Sequence, residues 1–469
     1  MTKSIPHRNP ISGSSLVGLL VAFLLIPGSG SKAGEGRTYT THLPRHPLTL
    51  RDCIAIALGE SPKLDASHFD LLAAGEEIRA AQASLWPNLQ GTATGEAFSG
   101  EQTGKFGIVN TTSPSGGGVN TSRNVDLAGI GLFGLKLDYP IFRDGSIFGF
   151  NDAPAVEIKR AQRNSLAWTA HLTREDVIYR ITQVFVDTVS AQNRAEPVDR
   201  RVELLQRAFD IHTEEQQKGL GLPIDVELAR KQLNSAQSLS KTIHQQAVAG
   251  QLGLTRLLGL PSSAHISLDS TLPEPPAPPP AAQLFHTMLA QHPSLKAQIA
   301  TIEKAKQDYR LENYRLYPSV NLHGSALYVT DFDNDAHDLI GGVTVSIPIF
   351  DFGAQLGTVR ARRDTYHAEQ ARLGAVGNDL TSDLVRIYYD IYALSERILT
   401  LEVEAGKLDR DLRIAQSQQQ QGIAPPLTAI DTELGLIGKQ EDLEIHRSRR
   451  LLLYAELQKA MGGTWKWIP

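Results

Sequence analysis

The sequence predicts a mainly helical fold with a smaller β component, in which one unit is written twice and each copy carries a β-hairpin and a long coiled-coil helical hairpin. Three patterns support this. First, Ser61-Pro62-Lys63-Leu64 and Pro293-Ser294-Leu295 each open a polar helical run. Those runs close 25 positions after their first proline, at Leu85-Trp86-Pro87-Asn88-Leu89 and Leu316-Tyr317-Pro318-Ser319-Val320. Further on, Tyr139-Pro140-Ile141-Phe142-Arg143-Asp144-Gly145 answers Ile347-Pro348-Ile349-Phe350-Asp351-Phe352-Gly353, and Arg256-Leu257-Leu258-Gly259 answers Lys459-Ala460-Met461-Gly462. Such a repeat means that one structural unit is described two times. The second pattern is a sustained apolar heptad, and the third is period-two alternation in short segments between the helices.

The 469 residues divide into a leader over 1–33, a first repeat over 34–270, a proline-rich linker over 271–281 and a second repeat over 282–469. In the repeats, the β-hairpins are expected at about 88–142 and 319–350 and the helical hairpins at about 146–259 and 354–461. A net charge of -5, with 46 basic residues interspersed among 51 acidic ones, leaves no basic patch for nucleic acid. At the start, Lys3, His7 and Arg8 precede an apolar run from Leu16 to Ile26, then Pro27 and the small residues around Ser31-Lys32-Ala33. That run is too short to span a bilayer, so it reads as a secretory signal ending near Ala33, with a shortened membrane anchor as the alternative. Cys53 is the only cysteine. It has no disulfide partner and lies beyond the cleavage region, so a buried, inert thiol is expected. No long apolar stretch follows the leader; membrane contact has to come from β-structure or from binding at a lipid surface.

Thr49 is an N-cap candidate for a short helix from Leu48 to Leu58, and Pro62 sits at the first turn of a second helix running to Trp86. The period then changes. Leu89, Gly91, Ala93, Gly95 and Ala97 alternate with Asn88, Gln90, Thr92, Thr94 and Glu96, and after a polar segment from Phe98 to Ala128 the alternation returns in Phe133, Leu135, Leu137, Tyr139 and Ile141. The second copy has Val320, Leu322, Gly324 and Ala326 leading out and Gly341, Val343, Val345, Ile347 and Ile349 returning. Each pair makes a hairpin with one apolar and one polar face. Such strands either cover a soluble core on one side or cross an outer membrane with the apolar face outward.

The long helices follow. Leu380, Leu384, Ile387, Ile391, Leu394, Ile398, Leu401, Ala405, Leu408, Leu412 and Ala415 form an unbroken heptad seam. Val177, Ile181, Val184, Thr188, Ala191, Ala195, Val198, Val202, Leu205 and Phe209 form its counterpart, with smaller residues in the middle. Continuous helix over these segments reaches on the order of 100 Å, and a kink is expected just before Pro197. The helices break at Lys218-Gly219-Leu220-Gly221-Leu222-Pro223 and Gln421-Gly422-Ile423-Ala424-Pro425-Pro426, where glycine ends one helix and proline starts the next. Shorter return helices end near Leu258 and Ala460.

Catalytic chemistry has no foothold. Gly129-Ile130-Gly131-Leu132-Phe133-Gly134 fits a dinucleotide fingerprint in spelling only, since it enters an alternating strand and not a helix. The 14 histidines are scattered and read as surface residues; no metal-ligand spacing and no cofactor motif is found. Gln416 to Gln421 reads as the solvated end of a coiled coil. Asp225, in Pro223-Ile224-Asp225-Val226, is by itself an early-helix acid that complements the helix dipole.

Taken together, the leader, the paired proline-bounded helices, the two hairpins, the Pro-Ile-Phe elements and the Gly-rich turn before Asp225-Val226 resemble the TolC family of outer-membrane efflux channels. That resemblance covers nearly the whole chain after the leader. It implies a homotrimer, with four strands per subunit in a shared twelve-stranded barrel in the outer membrane of a Gram-negative bacterium, on a periplasmic tunnel of helices. It implies no enzymatic activity, a periplasmic adaptor and an inner-membrane transporter as partners, outer-membrane lipid around the barrel, and drugs, metal ions or secreted proteins as cargo. In the family the helical turns form the periplasmic tip, so Gly219, Gly221, Pro223, Gly422, Pro425 and Pro426 are expected there and Asp225 matches the gate aspartate. Thr428 holds the equivalent place in the second copy, where the family's aspartate is missing. Gln216 and Gln419 stand at the tyrosine-like positions and Gly221 and Ala424 at the arginine-like ones, so the expected gate is an acidic ring supplemented by amide hydrogen bonds. A pore-free periplasmic coiled-coil scaffold or adaptor is the competing reading.

Overall fold

The computed structural model describes residues 46–98, 128–150, 153–261, 264, 266–331 and 335–467. The expected leader with its cleavage region near Ala33, and the polar segment between Phe98 and Ala128, lie outside them. Helix α1 (Leu50–Glu60) starts where expected. The Thr49 hydroxyl accepts from the Asp52 backbone N–H at 3.3 Å, and the Asp52 carboxylate accepts from the Thr49 N–H at 3.1 Å, a reciprocal cap. Helix α2 (Pro62–Ala83) has proline at its first turn and ends three residues before Trp86, in a tightened last turn. Cys53 is fully buried, and burial pushes its thiol up to about 12, as expected of an inert thiol.

Strands β1 (Asn88–Phe98) and β2 (Ala128–Arg143) pair antiparallel, and β2 turns at Asp144-Gly145 into the two-residue strand β3 (Ser146–Ile147). Both turn residues have positive φ, 53° and 83°, which is the conformation a two-residue Asp-Gly hairpin needs. Phe352 and Gly353 adopt the same pair of angles, 54° and 83°, but lead straight into a helix. Because of the β3 excursion, the first long helix, α3 (Pro154–Gln217), begins later than the expected 146. It continues through Pro197 to 64 residues, so proline does not end it. Packing on several sides holds the turn around Pro197 where propensity alone would open it.

Helix α4 (Pro223–Leu257) returns along α3. The linker crosses the surface to α5 (Ala281–Gln291) and α6 (Pro293–Tyr314). Strands β4 (Ser319–Asp331) and β5 (Asp335–Ser346) form the second hairpin, followed by α7 (Ala354–Gln420, 67 residues) and α8 (Pro426–Ala460). Ile347 and Ile349, expected within the returning strand, fall beyond its end. The sheet order is β1-β2-β4-β5, so the two hairpins join through β2 and β4.

The seam expected on α7 is buried or half-buried along its length, with Leu384, Ile387, Ile391, Ile398 and Leu401 at the core. Helix α3 buries more than the one predicted stripe. Phe185, Val186, Val189 and Leu204 fill a second, because α3 packs against α1, α2, α4, α6 and α8. The main packing order is α2-α3-α6-α7 nearer the sheet and α4-α3-α8-α7 nearer the turns. Among the described residues, no helix is long and apolar enough to cross a membrane.

Candidate functional site

Two parts of the molecule carry features that its own folding does not explain, the helical turns and the sheet. Both turns are built alike. The N–H of Gly219 donates to Gln216 O at 3.0 Å and that of Leu220 to Glu215 O at 2.8 Å; Gly422 and Ile423 repeat this on Gln419 and Gln418 at 3.0 and 2.9 Å. This pair of hydrogen bonds closes a helix only if the residue after its cap is left-handed, and Gly219 and Gly422 have φ of 73° and 71°. Pro223 and Pro426 then occupy the first turns of α4 and α8, with Leu222 and Pro425 as N-caps.

This geometry puts Asp225 and Thr428 at matching places. Each backbone N–H donates to its N-cap carbonyl, Asp225 to Leu222 and Thr428 to Pro425, both at 3.1 Å. Asp225 is half-buried and Thr428 exposed. Neither α4 nor α8 has a side-chain cap, so the free N–H groups of each first turn favour a nearby negative charge, which only Asp225 supplies. Gln216 and Gln419 are exposed at the ends of α3 and α7, each with its carbonyl committed to the turn. A groove of about 500 Å³ between α3, α7 and α8 is lined by Gln419 and Pro426 together with Arg200, Arg207 and Glu433. Gly221 cannot carry even a methyl group without crowding the Gln216 nitrogen and Glu215 Cβ, each 3.1 Å from where a Cβ would stand. The turns also expose Leu220, Leu222, Ile224 and Ile423.

The sheet shows neither face to a core. Its register lines up Leu89, Leu137, Gly324 and Gly341 across the four strands, then Gly91, Leu135, Ala326 and Leu339, then Tyr139, Leu322 and Val343. Leu89, Leu339 and Val343 are 65%, 86% and 57% exposed. The opposite face carries Asn88, Asp138, His323 and Gly342 in one row, with a Lys136–Asp138 ion pair at 3.4 Å. Strands β1 and β5 are the edges, each paired on one side only among the described residues.

The helical layer is unpartnered on the same two flanks. Phe69 and Leu72 on α2, and Leu228, Val248 and Leu252 on α4, are exposed on the β1 flank. On the β5 flank, α7 exposes Val385, Tyr389, Tyr392, Leu399 and Val403. That second stripe was in the sequence, at heptad spacing but rotated off the first seam. His292, expected at the surface with the other histidines, is instead 2% exposed. It caps α6, where Nδ1 accepts from the Ser294 N–H at 3.1 Å and Nε2 donates to Ala460 O at 3.0 Å. Burial holds its pKa below the ordinary value. The polar ties between the halves were also not legible. Arg200 and Arg201 of α3 reach Glu433 and Glu441 of α8 at 2.8 Å each, and Gln458 reaches the buried Glu175 at 3.0 Å.

Residues 53–260 and 284–463 match the family described as outer membrane efflux protein. The pyoverdine export outer membrane protein OpmQ of Pseudomonas aeruginosa is 26% identical over 233 residues, 48% of each chain, so the chain spans about half the length of that relative. Among solved structures, the outer membrane protein VceC of Vibrio cholerae superposes with a TM-score of 0.68 at 20% identity, covering 88% of this chain and 96% of that one. The MtrE outer membrane channel of Neisseria gonorrhoeae, solved in its open state, gives 0.70 at 14% identity over 88% and 89%. At such identities these are likenesses of fold.

Proposed function

The chain belongs to the outer membrane efflux protein family, and from that premise we propose that three copies join head to tail into a passive exit duct. It has a twelve-stranded barrel in the outer membrane and a helical tunnel in the periplasm. What carries this reading is a four-stranded sheet that buries neither face and leaves both edges open. An open sheet in lipid leaves backbone groups unsatisfied, whereas a closed one has no edge. Joining β5 of one copy to β1 of the next also brings the apolar flank of α7 against those of α2 and α4, so one rotation satisfies strands and helices together. Strands of 11 to 16 residues suffice, at the usual tilt, for an apolar band about 25 Å tall. The apolar face then meets lipid and the Asn88–Asp138–His323 face lines the pore.

The repeated element order is the reason for the shape: two diverged copies of one unit give each subunit unlike flanks that fit each other. At the far end, three Asp225 carboxylates make an acidic constriction at the periplasmic tip, with Thr428, Gln216 and Gln419 supplying neutral hydrogen-bonding groups around it. Carboxylates about 8 Å apart repel by about 2 kcal/mol per pair at an effective dielectric of about 20, so the ring attracts cations and is held shut weakly. The exposed Leu220, Leu222, Ile224 and Ile423 and the groove beside Gln419 are where a periplasmic adaptor docks, linking the duct to an inner-membrane transporter. Drugs, metal ions or secreted proteins are the cargo, chosen by the pump.

The test is the mass and conductance of the detergent-extracted protein. A trimer passing ions in small, mostly closed steps is expected, with Asp225→Ala raising passive conductance and leaving the trimer intact. A water-soluble monomer or dimer without conductance refutes the duct and leaves a pore-free periplasmic scaffold. A conducting trimer unchanged by Asp225→Ala removes Asp225 from the gate.

A further inference from the structure

Where α1, α3 and the end of α8 meet there is a hollow of about 190 Å³ that the duct does not use. Along α3 it lies near residues 174–178, about 60 Å of helix from the tip at 1.5 Å per residue. Three cations line it, Arg51, Arg174 and Lys466, and among the described residues no carboxylate does. Its remaining walls are aliphatic, formed by Ile54, Ala55, Leu58 and Ile178. Arg51 and Lys466 stand at the solvent edge, while Arg174 is steadied by Glu175 at 3.2 Å. One further lining residue is Gln458, 3% exposed. Its Nε2 donates to Glu175, but its Oε1 is buried with no hydrogen-bond partner among the described residues.

The site therefore asks for an anion, an aliphatic body and one hydrogen-bond donor. A phosphate supplies charge but no donor for Gln458 Oε1. A free amino acid supplies a donor only as an ammonium, which the three cations repel. An N-acylated amino acid satisfies all three demands. We propose that this hollow binds the carboxyl-terminal residue of a peptide: its carboxylate between Arg51, Arg174 and Lys466, its amide N–H donating to Gln458 Oε1, and an aliphatic side chain against Ile54, Leu58 and Ile178. Charge-assisted bonds to the carboxylate carry the recognition, and the buried acceptor adds selectivity for an N–H. A duct holding such a site at mid-height anchors to a peptide terminus independently of the adaptor at its tip.

Calorimetric titration of the detergent-solubilised full-length protein with N-acetyl-L-leucine tests this. Binding is expected to weaken tenfold or more for N-acetyl-L-leucinamide, which lacks the carboxylate, and severalfold for 4-methylpentanoic acid, which lacks the N–H. The double variant Arg51→Gln/Lys466→Gln alters only edge residues and should lose tenfold or more at unchanged melting temperature; Ala55→Phe, which fills the hollow without touching a charge, should abolish binding. No heat at tens of millimolar ligand, equal binding of acid and amide, or full binding by both variants overturns the proposal. The acid–amide comparison uses the unaltered protein and decides the matter even if a variant fails to fold.

Discussion

Replacing Gly250 by alanine should loosen α4 from α3, and the geometry sets the size of the effect. A Cβ at position 250 would stand 2.3 Å from Thr188 Oγ1, 3.1 Å from its Cβ and 3.3 Å from its Cα. The hydroxyl can rotate, but it donates to the Val184 carbonyl at 2.5 Å, and rotation leaves the two carbon contacts in place. Thr188 is 1% exposed, so it has nowhere to retreat and the helices must separate. Overpacking of this kind costs about 1–3 kcal/mol, against which alanine gains about 1 kcal/mol of helix propensity over glycine. A net loss of up to about 2 kcal/mol follows. Gly253 is the internal control: its added Cβ would lie 3.7 Å from Val184 Cγ1, an ordinary contact, so Gly253→Ala should keep most of the propensity gain. Adding Thr188→Ala to Gly250→Ala should recover much of the loss. Thermal melting of the detergent-solubilised protein reads all three, and the reasoning fails if Gly250→Ala melts as high as Gly253→Ala.

The other predictions concern the buried histidine, the ties between the halves and the sheet. His292 is kept neutral by burial, so its contribution to stability is whole above the ordinary histidine value of 6.5 and is lost as pH falls through the lower folded value. Melting temperature should thus fall on acidification below about pH 6.5, and less steeply in His292→Asn, which keeps an acceptor at the cap. Arg201→Met strands the buried Glu441 carboxylate and should cost about 1–3 kcal/mol; Arg201→Met with Glu441→Gln should recover part of it in the same melt. Val343→Lys places a charge on the apolar face that we propose meets lipid, at a cost of about 2–4 kcal/mol near mid-bilayer, and should reduce the yield of membrane-assembled trimer. Its neighbour Thr344→Lys, on the other face, should assemble like the parent.

Local chemistry was legible in the chain. Thr49 followed by Asp52 marks a cap, and Gly219 and Gly422 mark turns that need a left-handed residue. The four-and-three step from Leu380 to Ala415 marks the buried side of α7, because in a helix spacing alone decides which residues share a face. The readings that needed correction involve partners distant in sequence. His292 reads as one histidine among 14, since the carbonyl that sequesters it belongs to Ala460. Asp225 and Thr428 could be aligned from their turns, but their exposure and the groove beside Gln419 depend on how α3, α7 and α8 come together.

By itself the sequence determined the main segments: which are long helices, which are hairpin strands, where the helical hairpins turn, and one apolar face of each; it missed the short strand β3 and the exact ends of β5 and α3. Periods of 3.6 and 2 are properties of a backbone with its own hydrogen bonds, and they need no distant partner. Tertiary structure alone decided the neighbours. It joined β2 to β4, set α8 between α3 and α7 with ion pairs to both, brought Gly250 against Thr188, and left β1, α2 and α4 on one flank and β5 and α7 on the other. An apolar stripe states that something must cover it; only packing in three dimensions, where shape and buried charge must match at once, states what.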